Sequence, residues 1–111
     1  MWRFKMIVVT SETIANKRIV KTLGLVRGNT VRARHIGKDI MAGLRNIVGG
    51  EIHEYAKLMG ESREQTLDRM TAEAQSLGAN AIIATRFTTS VMMGGAAELL
   101  AVGTAVVIED A

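Results

Sequence analysis

The chain has 111 residues, 48% of them hydrophobic but only 4% aromatic, which suits one domain with a core of Val, Ile, Leu, Met and Ala. It has no cysteine, so disulfides, thiolate zinc centres, iron–sulfur ligation and thiol chemistry are excluded. Net charge is +3 but unevenly placed: residues 1–50 carry ten Lys/Arg against two carboxylates (+8), and residues 51–111 carry four against nine (−5).

No apolar run approaches the ~20 residues of a membrane span, and Met1 to Lys5 lacks the apolar stretch of a secretory signal. The expectation is a cytoplasmic protein without membrane contact. Residues 1–5 read as a short N-terminal extension and residues 6–111 as a single domain. Met6 to Thr10 is a short β-branched strand, and Ser11 to Asn16 is its polar exit. From Arg18 to Arg34 the chain alternates. Ile19, Lys21, Leu23, Leu25 and Arg27 fall on one side, and Val20, Thr22, Gly24 and Val26 on the other. Gly28-Asn29 has the composition of a turn or bulge, so one long bent strand and a hairpin both fit.

The period then changes. Ile40, Met41, Leu44, Ile47 and Val48 form one helical stripe, ended by Gly49-Gly50. A second stripe runs through Ile52, Tyr55, Ala56, Met59, Thr66, Leu67, Met70, Ala74 and Leu77. Residues 51–77 thus fit one helix roughly 40 Å long at ~1.5 Å per residue. They also fit two helices abutting at Gly60, since glycine costs about 1 kcal/mol there relative to alanine. Gly78 stops the helix, and strands follow over 81–90 and 99–109, joined by the glycine-containing Met92 to Glu98. The last strand is apolar on both faces. A sheet with one helix layer has a polar second face, so another copy of the chain is expected to cover it.

Chemistry is sparse. His35 and His53 have no Ser/Asp context for nucleophilic catalysis, and Glu51/Glu54 and Glu61/Glu64, three apart, suit solvated helix faces. His35 and Asp39 are four apart, but Gly37 intervenes. Glu51, His53 and Glu54 do not converge on one ion without an outside ligand. His35, His53 and Glu54 are therefore weak metal candidates, and no cofactor is evident; a metal ion has no support from ligand spacing. The helix start after Gly49-Gly50 already holds the negative charge that a helix N-terminus favours. The basic run Arg27 to Arg34 lacks the interleaved aromatics of a nucleic-acid stacking platform.

The string Gly28-Asn-Thr-Val-Arg-Ala-Arg-His-Ile-Gly-Lys-Asp39 is followed by Ala42-Gly-Leu-Arg-Asn-Ile-Val-Gly-Gly-Glu51 and His53-Glu-Tyr55. Glu61-Ser-Arg-Glu64, Leu77-Gly-Ala-Asn80 and Gly103-Thr-Ala-Val106 complete the pattern. In this order and spacing, from about Met6 to Glu109, the sequence closely resembles the YbjQ family, whose members are also labelled "putative heavy-metal-binding". Val102 departs from the pattern, standing where an aromatic residue is expected. The resemblance implies an α+β subunit, a small antiparallel β-sheet backed by helices, that closes into a homopentameric ring. Cyclic rings need heterologous interfaces, and the +8/−5 split suits one. The resemblance places no metal ligand on a particular residue.

The leading expectation is a non-enzymatic homopentamer that holds a metal ion or small ligand at its subunit interfaces. Arg34, Asp39, Arg45 and Glu51, around the double-glycine corner, are the candidate ligand-binding residues; as an alternative they form salt bridges between subunits. A second expectation is an enzyme with an inter-subunit active site for a small anionic metabolite, using Arg34 or Arg45 to hold the anion and a carboxylate as base. A weaker third is nucleic-acid binding through the basic N-terminal half.

Overall fold

The computed structural model describes the backbone of residues 5–32, 50–91 and 97–111, and the side chains of residues 5–32, 57–90 and 97–111. In chain order the elements are β1 (Ile7–Val8), β2 (Lys17–Arg32), α1 (Gly50–Ser76), β3 (Ala81–Val91) and β4 (Ala97–Asp110). They form a four-stranded sheet in the order β1-β3-β4-β2, with α1 laid on one face. The fold is α+β, as expected.

The sheet is mixed, which corrects the expectation of an antiparallel one. β2 and β3 both run antiparallel to β4, but β1 runs parallel to β3, with Ile7 opposite Ala81 and Val8 opposite Ile82. The reason lies in the connection out of β1. It must carry the chain from the β3 edge to the far edge, and on the way Ile14 packs onto Ala81, Val106 and Ile108. That crossing leaves a short first strand beside the start of β3, held by Val9 N–H donating to the Ile82 carbonyl at 3.0 Å.

β2 is one strand of sixteen residues rather than a hairpin. Its irregularities lie before Gly28. Ile19 is opposite Ile108 and Lys21 opposite Val107, then Thr22 is opposite Val106 and Gly24 opposite Ala105. Each step has one extra residue, Val20 and then Leu23, so two β-bulges break the strict alternation expected there. From Gly24 onward the register is regular, and Val26, Gly28 and Thr30 are buried while Leu25, Arg27, Asn29 and Val31 are exposed.

Gly28 serves close approach, not turning. A Cβ at that position would lie 2.3 Å from the Thr66 carbonyl oxygen and 2.5 Å from the Met70 amide nitrogen. Main chain of α1 therefore rests on main chain of β2. The expected stripe forms the inner face of the helix: Thr66, Met70 and Ala74 are fully buried. Met70 and Ala74 join Val26, Ala79, Ile82, Ala101 and Ala105 in one core cluster.

α1 is a single helix through Gly60, where a Cβ would meet nothing nearer than Arg63 Nη2 at 3.6 Å. Its modest propensity cost is carried by the packing of the inner face. At the far end Gly78 adopts φ 88°, and its N–H and that of Ala79 bond back to the Gln75 and Ala74 carbonyls at 3.0 Å each. This left-handed stop satisfies the last helical carbonyls. Asn80 then uses its side-chain amide as a strand would use its backbone. Nδ2 donates to the Ile108 carbonyl at 2.8 Å and Oδ1 accepts from the Ile108 N–H at 2.7 Å. The Leu77-Gly-Ala-Asn80 string thus caps the helix and fixes β4.

The sequence expectation that the last strand needs a cover on its second face is met in part by the chain itself. At one end of that face Ala81, Val106 and Ile108 are buried by Ile7, Ile14, Ile19 and Ile83. At the other end Leu100, Val102 and Thr104 are only half-buried. Beside them Leu25 and Val31 on β2 are 66% and 52% exposed. The expected helix over residues 40–48 and its Gly49 stop lie outside the described residues, as do Met92 and Met93; the second helix, expected from Glu51, begins one residue earlier, at Gly50 itself.

Candidate functional site

Arg34, His35, Asp39 and Arg45 lie outside the described residues. Glu51, His53 and Glu54 stand on the opening turns of α1, where the backbone alone is described. The described geometry neither gathers nor separates these seven side chains.

It does gather a polar seam between β2 and α1. Alternation along β2 aims Thr30 and Arg32 at the helix, and the helical period aims Ser62 and Thr66 back at them. Thr30 Oγ1 and Thr66 Oγ1 are 2.9 Å apart, with both residues buried. Thr66 Oγ1 also lies 2.8 Å from the Ser62 carbonyl, one turn earlier. Arg32 caps the row, with Nε donating to Ser62 Oγ at 2.8 Å and Nη2 to Gln65 Oε1 at 2.7 Å. Arg69 Nη1 donates to the Asn29 carbonyl at 2.6 Å on the other flank.

Outside Arg32 an open cleft of about 540 Å³ is lined by Lys57, Gly60, Glu61, Glu64, Gln65 and Asp68. Lys57, Glu61, Glu64 and Asp68 recur at helical spacing on the side of α1 opposite Thr66 and Met70, and form an exposed, mainly acidic ridge. Their carboxylates are hard oxygen donors, which suit magnesium or calcium better than a soft heavy metal. Among the described residues no three His, Asp or Glu side chains come together to hold an ion. Within one copy, the described donor set does not fit a heavy-metal centre.

The outer face of the sheet, away from α1, carries a second arrangement. Residues directly opposite one another across a sheet share a face. One row on that face is therefore Leu25–Thr104–Ile83, the next is Arg27–Val102–Arg86, and the next is Asn29–Leu100–Thr88. Two arginines thus flank one valine, with half-buried aliphatic groups on either side. Arg86 is held in place by Nη1 donating to the Thr10 carbonyl at 2.9 Å and to the Thr85 carbonyl at 3.0 Å. Asn29 Nδ2 donates to Glu98 Oε2 at 3.2 Å. Sequence reasoning saw Arg27 as part of a basic strand but missed Arg86. The β3 bulge, in which Ala84 (φ 53°) and Thr85 together oppose Gly103, sets which face Arg86 occupies. No periodicity in the sequence marks that bulge.

Near the start of β2, Lys17 pairs with Asp110 and Arg18 with Glu109. The Lys17 ammonium, first by its hydrogen bond and then by its charge, holds the Asp110 carboxyl below the usual aspartate range. This corner borders a smaller cleft of about 380 Å³ that also includes Lys5, Ile7 and Asn80. No helix among the described residues is long and apolar enough to cross a membrane.

Comparison with known proteins gives the same picture at three levels. Residues 6–109 match the YbjQ family model, described as "Putative heavy-metal-binding". A UPF0145 protein of Methanosarcina acetivorans is 55% identical over 103 residues, covering 93% of this chain and 97% of the relative. The UPF0145 protein DET1617 of Dehalococcoides mccartyi is 57% identical over 104 residues, covering 94% and 100%. Among solved structures, a protein of unknown function of the DUF74 family from Pediococcus pentosaceus aligns with a TM-score of 0.62 over 94% of this chain and 98% of that one. Its sequence identity of 15% makes it a likeness of fold alone. With the family pattern matched from end to end and relatives above half identity over nearly their whole length, the chain belongs to the YbjQ family.

Proposed function

We propose that this protein is a non-enzymatic, cytoplasmic assembly module: five copies close into a ring, and a metal ion or small ligand is held where copies meet. The observation that carries the reading is the open part of the outer sheet face. Leu25 and Val31 are 66% and 52% exposed there, beside half-buried Leu100 and Val102. Contiguous apolar surface rimmed by polar groups marks interaction sites, and β2 also lies at the edge of the four-stranded sheet. The uneven charge of the two halves of the chain favours a head-to-tail joint over a like-with-like one.

The ligand side of the proposal rests on the donors available. The described carboxylates of one copy do not converge. A metal site of the kind named in the family description therefore needs groups from more than one copy or from residues outside the described set. Native mass spectrometry at micromolar concentration is expected to show a five-subunit species, and a monomer across the concentration range would defeat the ring. Calorimetric titration with Zn²⁺, Ni²⁺ and Cu⁺ is expected to saturate at one ion per copy in the assembled ring, because five copies joined head to tail share five identical joints. One ion per copy in a dissociated variant would place it within the subunit instead.

A further inference from the structure

We infer that the outer face of β2 and β3 is the socket of the subunit joint, and that its occupant is the acidic ridge of α1 from a second copy of this chain. The inference rests on the assembly reading above and specifies its two surfaces.

The socket combines apolar area with fixed positive charge. Leu25 and Val31 are exposed on it, Leu100 and Val102 half-buried, and Arg27 and Arg86 stand on either side of Val102. Strands are ~4.8 Å apart, so the two arginine Cα positions are separated by about 10 Å. The single acidic side chain opposite these strands, Glu98, is already engaged by Asn29. At the far end of β2 the acids Glu109 and Asp110 are taken by Arg18 and Lys17. The arginine row thus has no carboxylate partner among the described residues.

A two-fold joint in which two outer faces meet would set Arg27 and Arg86 against the same arginines. Like charges facing each other in an interface cost several kcal/mol, so the face selects a different surface. The surface of opposite sign is α1's outward ridge, where Glu61, Glu64 and Asp68 are exposed and make no salt bridge among the described residues. Glu61 and Asp68 are seven residues apart, about 10 Å along a helix, which matches the spacing of the two arginines. Ala72 continues the ridge with a small side chain, leaving room for a bulkier neighbour such as Leu25. Socket and ridge lie on opposite sides of one subunit, since α1 covers the other face of the sheet. Their union is heterologous and propagates from copy to copy, as a ring requires.

Charge reversal tests this directly, with oligomeric state read by light scattering and native mass spectrometry. Arg27→Glu alone and Asp68→Lys alone are each expected to raise the dissociation constant about 100-fold. The double variant Arg27→Glu/Asp68→Lys is expected to recover assembly. Leu25→Arg, a second variant on the socket, is expected to dissociate the protein while its circular dichroism stays that of the parent. An assembly that survives Arg27→Glu and Leu25→Arg unchanged would overturn the socket while leaving self-association intact. Failure of the double variant to recover what each single variant loses would overturn the pairing with α1. A parent chain that is monomeric throughout would remove the assembly reading itself.

Discussion

The two halves of β2 are held in different ways, although they belong to one strand. From Val26 to Arg32 the register is regular, alternate residues are buried, and α1 lies directly on Gly28. From Lys17 to Gly24 the strand carries two bulges, has no fully buried side chain, and is tied to β4 by Lys17–Asp110 and Arg18–Glu109. Burial and close packing stabilise by kilocalories, whereas exposed ion pairs contribute ~0–1 kcal/mol. The half under the helix anchors the fold; in the other half Ile19 and Leu23 still pack against the core, and it is the ion-paired side chains that can change with little loss.

That contrast is open to test, beginning at the packed end. Gly28→Ala should lower stability by about 3 kcal/mol in urea titration, because the new methyl meets helix backbone that cannot turn aside. A loss below about 1 kcal/mol would mean that helix and strand separate easily. Thr66→Val should cost about 1.5 kcal/mol by leaving Thr30 without its hydroxyl partner, while the Thr30→Val/Thr66→Val pair should cost less than the single change. At the ion-paired end, Arg18→Ala should stay within about 0.5 kcal/mol of the parent. A larger loss there would erase the distinction between the halves.

The smallest effect concerns pH. Because Lys17 lowers the Asp110 pKa, the pair contributes its stabilisation above the pKa of the unfolded chain. The contribution is lost as pH falls through the lower, folded value. Proton titration of the Asp110 side chain by NMR should show its midpoint rise in Lys17→Ala, and an unmoved midpoint would mean that the two are not paired in solution.

The sequence made the packed half legible and hid the other. Thr66, Met70 and Ala74 recur with helical period because one face of α1 is buried, and Val26 to Val31 alternate because one face of that strand is. The bulges at Val20 and Leu23 were not legible, since nothing local demands them. They answer to the register against β4. Gly28 looked like a turn because its need for a missing Cβ comes from a helix some forty residues away in sequence. The parallel β1 was hidden for a similar reason: the strand it pairs with, β3, lies far along the chain, with Ile7 opposite Ala81. Of the candidate site, Arg34, Asp39 and Arg45 lie outside the described residues, and Glu51 is described in its backbone alone. The arginine row appeared only when register across three strands was known.

Gly28 has one more consequence. Where side chains separate two layers, their gap widens or narrows with whatever fills it. Here main chain touches main chain, so the spacing at that point is set by atoms every sequence shares. Substitutions in the surrounding core can tilt α1 about Gly28, yet they have little power to lift it. The contact behaves as a fulcrum, and orientation, more than distance, is what variation among core residues is free to tune.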